Sequence, residues 1–430
     1  MALHNKILLG LLAGAVTGVI VNLTLGLTPT VEWIVRNVSE PLGRIWLNAL
    51  IMVVIPLIIS TLALGVAGLG SISKLGRIGL VTLASFVGLT TIAVVLGLLA
   101  VNIVRPGEGI DPGVRDRLMA TYQGQAAGSM GLAAGALGIN TFVNIVPRNP
   151  IQAAANGEML AVIFFALMIG IALTTLRPDK AEPLLRFLDS LAHVTIAIIQ
   201  MVMKFAPYAV FALIFSVTAR FGFDLLVSLL WYMATVVGSL AIFLVFGYSV
   251  ILSLVARRNP MDFFKKARIV MLTAFSTSSS NATLPTTLRV TEEELGVPPQ
   301  IAGFVIPLGA TMNMNGTALF EGITILFIAQ VFGVSLTLGQ QIIVVLMSVV
   351  TAIGVAGIPG GSIPLLMMVL AMVGLPVEGI AIVLGVDRLL DMCRTTVNVA
   401  GDMVTATIVD RFEGVPAPPV PLSAAAGPHS

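Results

Sequence analysis

Apolar runs long enough to cross a bilayer as helices recur along this chain, at about residues 6–26, 43–69, 77–104, 158–176, 192–219 and 224–256. A helix rises 1.5 Å per residue, so about 20 apolar residues span a hydrocarbon core of roughly 30 Å. From about 261 to 410 the pattern changes in kind. Apolar sequence there is interrupted three times: by Thr277-Ser-Ser-Ser-Asn-Ala-Thr-Leu-Pro285, by Asn313-Met-Asn-Gly-Thr317 and by Gly357-Ile-Pro-Gly-Gly-Ser-Ile-Pro364. The first and third predict tips of re-entrant hairpins. The second predicts a span unwound in mid-membrane, where glycine and two asparagines disfavour continuous helix. Irregular backbone survives at that depth only where protein buries it or a watery cavity bathes it, and paired interruptions point to a transporter binding site. The shift that carries Pro285 onto Pro364 also carries Asn315 onto Arg394, which suggests an internal repeat.

Residues 387–402 carry five charges between apolar flanks. At about 100° per helical residue, Asp387, Asp391, Arg394, Thr395, Asn398 and Asp402 share one arc of roughly 100°, with Arg388 at its edge. A charge at the bilayer centre costs about 2.5–3.5 kcal/mol, so five facing lipid would cost on the order of 15 kcal/mol. The stripe must therefore face protein, water or ligand. A buried ion-pair network tying helices together meets that demand, and so does a transport site, which is what intramembrane charge marks by default.

Composition narrows the reading. Of 430 residues 57% are hydrophobic and 10% charged, with mean hydropathy +1.02, so the chain is a polytopic helical membrane protein. Residues 6–23 are too long and glycine-rich for a cleaved leader and read as the first membrane helix. The single cysteine, Cys393, rules out an internal disulfide. A net charge of +2 gives no footprint for nucleic acid. Basic residues gather in short loops, Lys74 and Arg77, Arg177 to Arg186, and Arg257 to Arg268, which places those loops and both termini in the cytoplasm. The loop at 105–157 then lies outside, and the Pro-, Ala- and Ser-rich end at 413–430 reads as a disordered tail. A serine hydrolase at Ser278–Ser280 lacks a histidine partner, since His4 and His429 are terminal and His193 opens a separate span. Unwound carbonyls and asparagine oxygens suit a hard monovalent cation, with sodium the natural candidate.

These residues resemble the dicarboxylate/amino acid:cation symporter family, the glutamate and aspartate transporters of bacteria, archaea and vertebrate synapses. The resemblance covers essentially the whole chain, because the serine-rich tip (278–285), Asn313-Met-Asn-Gly-Thr317, the glycine-proline tip (357–364) and the 387–402 helix follow the family's order and spacing. It implies an all-α polytopic membrane protein of eight transmembrane helices and two re-entrant helical hairpins with inverted repeats, the elevator-type glutamate-transporter fold. The implied scaffold is 1–76 (spans 1–2) and 105–220 (spans 4–5 and the external loop). The implied transport domain is 77–104 (span 3), 221–257 (span 6) and 258–412. A homotrimer in the cell (inner) membrane is implied, with no enzymatic activity.

The function implied is sodium-coupled symport of aspartate or glutamate by an elevator mechanism. The alternatives are a C4-dicarboxylate symporter coupled to protons or sodium, and a cation or anion channel. By the same resemblance Arg394 pairs with the substrate's side-chain carboxylate, Asp391 with its amino group, and Thr395 assists. The chemistry agrees: a guanidinium fork suits a carboxylate, and a carboxylate one turn away suits an ammonium. Asn398 and Ser280 hold the α-carboxylate, Ser278 contributes backbone, Thr317 lies nearby, and Ile358 and Ser362 close from the second tip. One sodium site uses Asn313, Asn398, Asp402 and the Gly309 carbonyl. Another uses Thr311 with the carbonyls of Ala352, Ile353 and Val355. A third draws on Thr90, Thr91, Asn313 and Asn315.

Three departures from the family pattern stand out. Residue 315 is Asn where many relatives have Asp, which weakens the third cation site and leaves two or three sodium ions open. Glu321 stands where vertebrate relatives carry a proton-linked glutamate, making it a candidate proton site beside the plainer role of a buried, hydrogen-bonded acid. Relatives place an extra arginine at positions held here by Ser278 and Met392; Arg388 is the spare guanidinium nearby, within reach of Asp387 or Asp391.

Overall fold

The computed structural model describes residues 3–69, 77–108, 146–156, 159–221, 224–355, 357 and 360–413, and every regular element among them is helical. Most of the 105–157 loop, the tail beyond Glu413 and the tip residue Ile358 lie outside the described residues. Helix α1 (Leu3–Thr24) is followed by α2 (Pro29–Ile34), a wide π turn at Val35–Ser39, α3 (Glu40–Ile51) and α4 (Val54–Leu69). Next come α5 (Arg77–Val104), the short α6 (Pro150–Ala155), α7 (Met159–Thr175), α8 (Pro178–Met203) and α9 (Ala206–Phe221). Helix α10 (Asp224–Ile242) continues through π turns on either side of α11 (Tyr248–Ile251) as far as Ala256.

The remaining elements follow the three interruptions. α12 (Pro260–Thr277) and α13 (Ser280–Glu293) pack together as the first hairpin. α14 (Pro299–Met312) and α15 (Asn315–Val331) form the broken span, and α16 (Leu338–Gly354) with α17 (Ile363–Met372) the second hairpin. The charged stripe lies on α18 (Ala381–Glu413). Local chemistry sets the ends. Asn259 Oδ1 caps α12 by accepting from the Met261 amide (2.9 Å) with Pro260 at the first helical position, and Thr337 with Gln340 forms a capping box on α16.

Two expectations are corrected in detail. The run 192–219, read as one span, is the end of α8 plus α9. Pro207 has no amide hydrogen to continue the ladder onto the Met203 carbonyl, and the Lys204 and Phe205 amides instead close tight turns onto Met201 and Val202. At the first tip the break is confined to Ser278 and Ser279, so Pro285 sits inside α13 rather than in the turn.

Layering follows burial. Among the described residues six helical runs are long and apolar enough to cross a membrane, including Asn5–Thr24, Pro29–Ala67, Arg77–Val104 and Pro299–Val331. Peripheral helices turn apolar residues outward, such as Leu12, Val16 and Ile20 on α1 and Leu80, Leu99 and Ile103 on α5, as lipid requires. The broken span is the centre, with all of α15 buried except Gln330. The polar stripe keeps α18 out of the apolar set, yet residues 394–409 of α18 are buried. Helices α1 and α9 approach closely through Gly10, Gly14 and Gly18, where an added Cβ would come within 2.6 Å of Pro207, Phe211 or Thr218 atoms. Small residues at this spacing let membrane helices touch backbone to backbone. Arg220 ties the end of α9 to α2 and α3 through ion pairs with Glu32 (2.8 Å) and Glu40.

Candidate functional site

Both hairpin tips meet the broken span against one face of α18. Ser278 takes the left-handed conformation (φ 50°), unusual for a residue with a Cβ, and turns the chain sharply into α13. Ser279 Oγ donates to the Gly357 carbonyl (2.7 Å), and the Asn281 amide also donates to it (3.3 Å), so the two tips are bonded to each other. A cavity at this junction is lined by Ser278, Ser280, Met314, Thr317, Val355, Gly357, Ser362, Asp391, Thr395 and Asn398. The N-terminal ends of α13 and α17 converge there, and their dipoles favour an anionic group. Ser278 Oγ and Ser362 Oγ are buried in the wall without a hydrogen-bond partner.

Arg394 is the largest fully buried side chain among the described residues, 1% exposed. Its Nε donates to Asp391 Oδ1 (3.1 Å), and its Nη2 lies 3.1 Å from Asp387 Oδ1 as an ion pair. That second contact is off the hydrogen-bond axis, and Nη1 has no hydrogen-bond partner. The cation also lies 4.2 Å from the centre of the Phe320 ring. Asp391 is the hinge of the cluster. Its Oδ2 accepts from the Gly360 amide (3.2 Å) in the second tip and from Arg388 Nη1 (3.4 Å), which puts Arg388 against Asp391 rather than Asp387. Two carboxylates and two guanidinium groups balance, as burial at this depth demands.

The cation-ligand residues divide. Asn313 Nδ2 donates to Asp402 Oδ1 (2.8 Å), leaving Asn313 Oδ1 buried with no partner. Gly309 lies against the same carboxylate, where a Cβ would sit 2.4 Å from Asp402 Oδ1. Asn398 does something the sequence did not disclose: its Oδ1 accepts the Gly316 (2.7 Å) and Thr317 (3.2 Å) amides, capping the restarted helix α15. Its Nδ2 donates to Thr317 Oγ1 (3.1 Å) and Met314 Sδ (3.2 Å). Gly316 is needed there because a Cβ would strike the Arg394 carbonyl at 2.5 Å.

Thr90 reaches Asn315, whereas Thr91 bonds its own helix at the Val87 carbonyl. Thr311 is exposed and bonds the Leu308 carbonyl, while Ala352 and Val355 are buried and Ile353 half-buried on and just after α16. Thr91 and Thr311 are thus not gathered with their expected partners by any side-chain bond. Glu321 is fully buried, its Oε2 accepting from Thr351 Oγ1 (2.8 Å) on α16 and its Oε1 without a partner. Two residues the sequence reading passed over, Tyr232 and Tyr248, are fully buried and bond Thr324 (2.8 Å) and the Val397 carbonyl (2.9 Å). Their signal was a phenol inside the apolar run 224–256.

The chain resembles known proteins over nearly all of its length. The model of the sodium:dicarboxylate symporter family matches residues 3–412. A proton/glutamate-aspartate symporter of Escherichia coli (strain K12) is 36% identical over 388 residues, 89% of this chain and 87% of the relative. A proton/sodium-glutamate symport protein of Geobacillus stearothermophilus is 36% identical over 383 residues, 88% of this chain and 89% of the relative. A C4-dicarboxylate transport protein of Bacillus subtilis (strain 168) is 33% identical over 412 residues, 95% of this chain and 94% of the relative.

Proposed function

Since the chain belongs to the sodium:dicarboxylate symporter family, a family of transporters and not of enzymes, we propose that it is a cation-coupled symporter of aspartate or glutamate. The observation that carries this reading is the Arg394–Asp391 pair bonded to the second hairpin tip, with the guanidinium Nη1 free of any acceptor and Nη2 held only by its ion pair with Asp387. A side-chain carboxylate of the substrate takes those nitrogens bidentately. Its ammonium takes Asp391, and in doing so competes with the Gly360 amide, which links binding to the conformation of the tip. Ser278, Ser280, Ser362, Thr317, Thr395 and Asn398 line the cavity beside this pair. A plain dicarboxylate brings no ammonium to Asp391, which is why the C4-dicarboxylate reading ranks second.

A cation fits beside Asp402, Asn313 and the Gly309 backbone, where the Asp402 carboxylate accepts from Asn313 Nδ2 and the oxygen of that same amide is unpartnered. Coupling is energetically required. Moving an anion into a negative interior costs about 2.3 kcal/mol per 100 mV. Each sodium ion gains that amount plus about 1.4 kcal/mol for a tenfold gradient, so two supply roughly 7 kcal/mol. Movement is proposed along the seam where Ile7, Trp46, Met203, Ala206 and Val210 face Gly360, Ile363, Leu384 and Arg388 across a cavity, with the outer helices as scaffold of a trimer.

Purified protein in liposomes is expected to accumulate labelled aspartate or glutamate when an inward sodium or proton gradient is imposed. Accumulation without any cation gradient, or ungated conductance alone, contradicts symport. Glu321, with one carboxyl oxygen unpartnered, is the proposed proton carrier. Glu321→Gln therefore flattens the pH dependence of uptake, and a profile identical to wild type removes that role.

A further inference from the structure

Asn315 is fully buried where the broken span meets α5, α11 and α18. Thr90 Oγ1 donates to Asn315 Oδ1 (2.7 Å), Asn315 Nδ2 donates to the Tyr248 hydroxyl (3.1 Å), and that hydroxyl donates to the Val397 carbonyl (2.9 Å). The directions follow from chemistry. A carbonyl only accepts, and a phenol has one proton, so the Tyr248 oxygen facing residue 315 is an acceptor and requires a donor there. The amide provides it. Asn315, Thr90 and Tyr248 all have partners, in contrast to Asn313 with its orphaned oxygen. Gly401 closes the remaining side, since a Cβ there would lie 2.5 Å from both Asn315 Nδ2 and the Tyr248 hydroxyl.

A carboxylate at 315 behaves oppositely. It sets an oxygen against the Tyr248 oxygen, a contact relieved by an added cation or by turning the phenol proton away from Val397, and it adds the negative charge that holds a desolvated cation. We infer that Thr90–Asn315–Tyr248–Val397 is a closed, cation-free relay in which the Asn315 amide occupies the role of a bound cation, so that this chain couples one cation fewer than its Asn315→Asp variant. The inference rests on the cation-coupled reading above and removes Thr90, Thr91 and Asn315 from the ligand set. It leaves the site at Asp402 untouched.

The test compares wild type, Asn315→Asp, Thr90→Val and the double variant. In liposomes, labelled sodium taken up per aspartate is expected to rise by one in Asn315→Asp, with the Hill coefficient for sodium rising by about one. Thr90→Val leaves the wild-type ratio unchanged and abolishes the gain in the double variant. In detergent, sodium raises the melting temperature of Asn315→Asp more steeply than that of wild type, a readout independent of transport. An unchanged ratio and melting response in Asn315→Asp overturn the relay. So does a wild-type ratio that falls by one in Thr90→Val, which decides the matter if Asn315→Asp does not fold. A wild type that accumulates no substrate under any gradient contradicts the symport reading instead, and the melting response still judges the relay.

Discussion

Alanine at position 394 abolishes accumulation of aspartate and glutamate, with apparent affinity falling about a hundred- to a few-thousand-fold. Removing one partner of a buried, hydrogen-bonded charge pair costs roughly 3–5 kcal/mol, and each 1.4 kcal/mol is tenfold. Arg394 stands at the centre of such a set, against Asp391 and Asp387 and over Phe320. Alanine also strands the buried Asp387 and leaves Asp391 to Arg388 and the Gly360 amide, so a loss of folding has to be separated from a loss of binding. Arg394→Lys does this, because it keeps a cation beside both acids and loses the planar fork. Labelled uptake and melting temperature measured together are expected to show a stable lysine variant that binds acidic substrate weakly. Uptake by either variant within threefold of wild type contradicts the assignment.

Asp402→Asn raises the half-saturating sodium concentration for uptake at least tenfold. The substitution preserves shape and removes the carboxylate that Asn313 and Gly309 surround. A dehydrated cation held only by neutral oxygens loses the charge that offsets its desolvation. A sodium titration of uptake at saturating substrate reads the shift directly, and a half-saturation within twofold of wild type places the cation elsewhere.

Much of this architecture was legible because a membrane sharpens contrast. Polar and glycine-rich breaks at 277–285, 313–317 and 357–364 stand out against apolar sequence, and the helix angle alone put Asp387, Asp391, Arg394, Asn398 and Asp402 on one face, all now buried. What stayed hidden depends on which partner a side chain chooses. Spacing cannot say that Asn398 turns its oxygen to the amides of α15, nor that Thr91 and Thr311 satisfy their own helices. Arg394 reached its expected neighbourhood yet is not in the cavity wall, because Asp387 and Asp391 hold it from the side. The break at Pro207 was readable from its missing amide hydrogen but was masked by continuous hydrophobicity. Tyr248 was masked in the same way: a phenol within an apolar run passes for packing until its hydroxyl is seen between Asn315 and Val397.

The central claim is that Asp391 reads the ammonium and Arg394 the carboxylate of one ligand. Equilibrium competition between aspartate and succinate on the purified protein tests it most directly, because the two share carboxylates and differ in the ammonium. A charge-assisted hydrogen bond contributes about 1.5–3 kcal/mol, so aspartate is expected to displace bound label at concentrations roughly ten- to a hundredfold below those of succinate. Succinate binding as tightly as aspartate, or more tightly, would contradict the account.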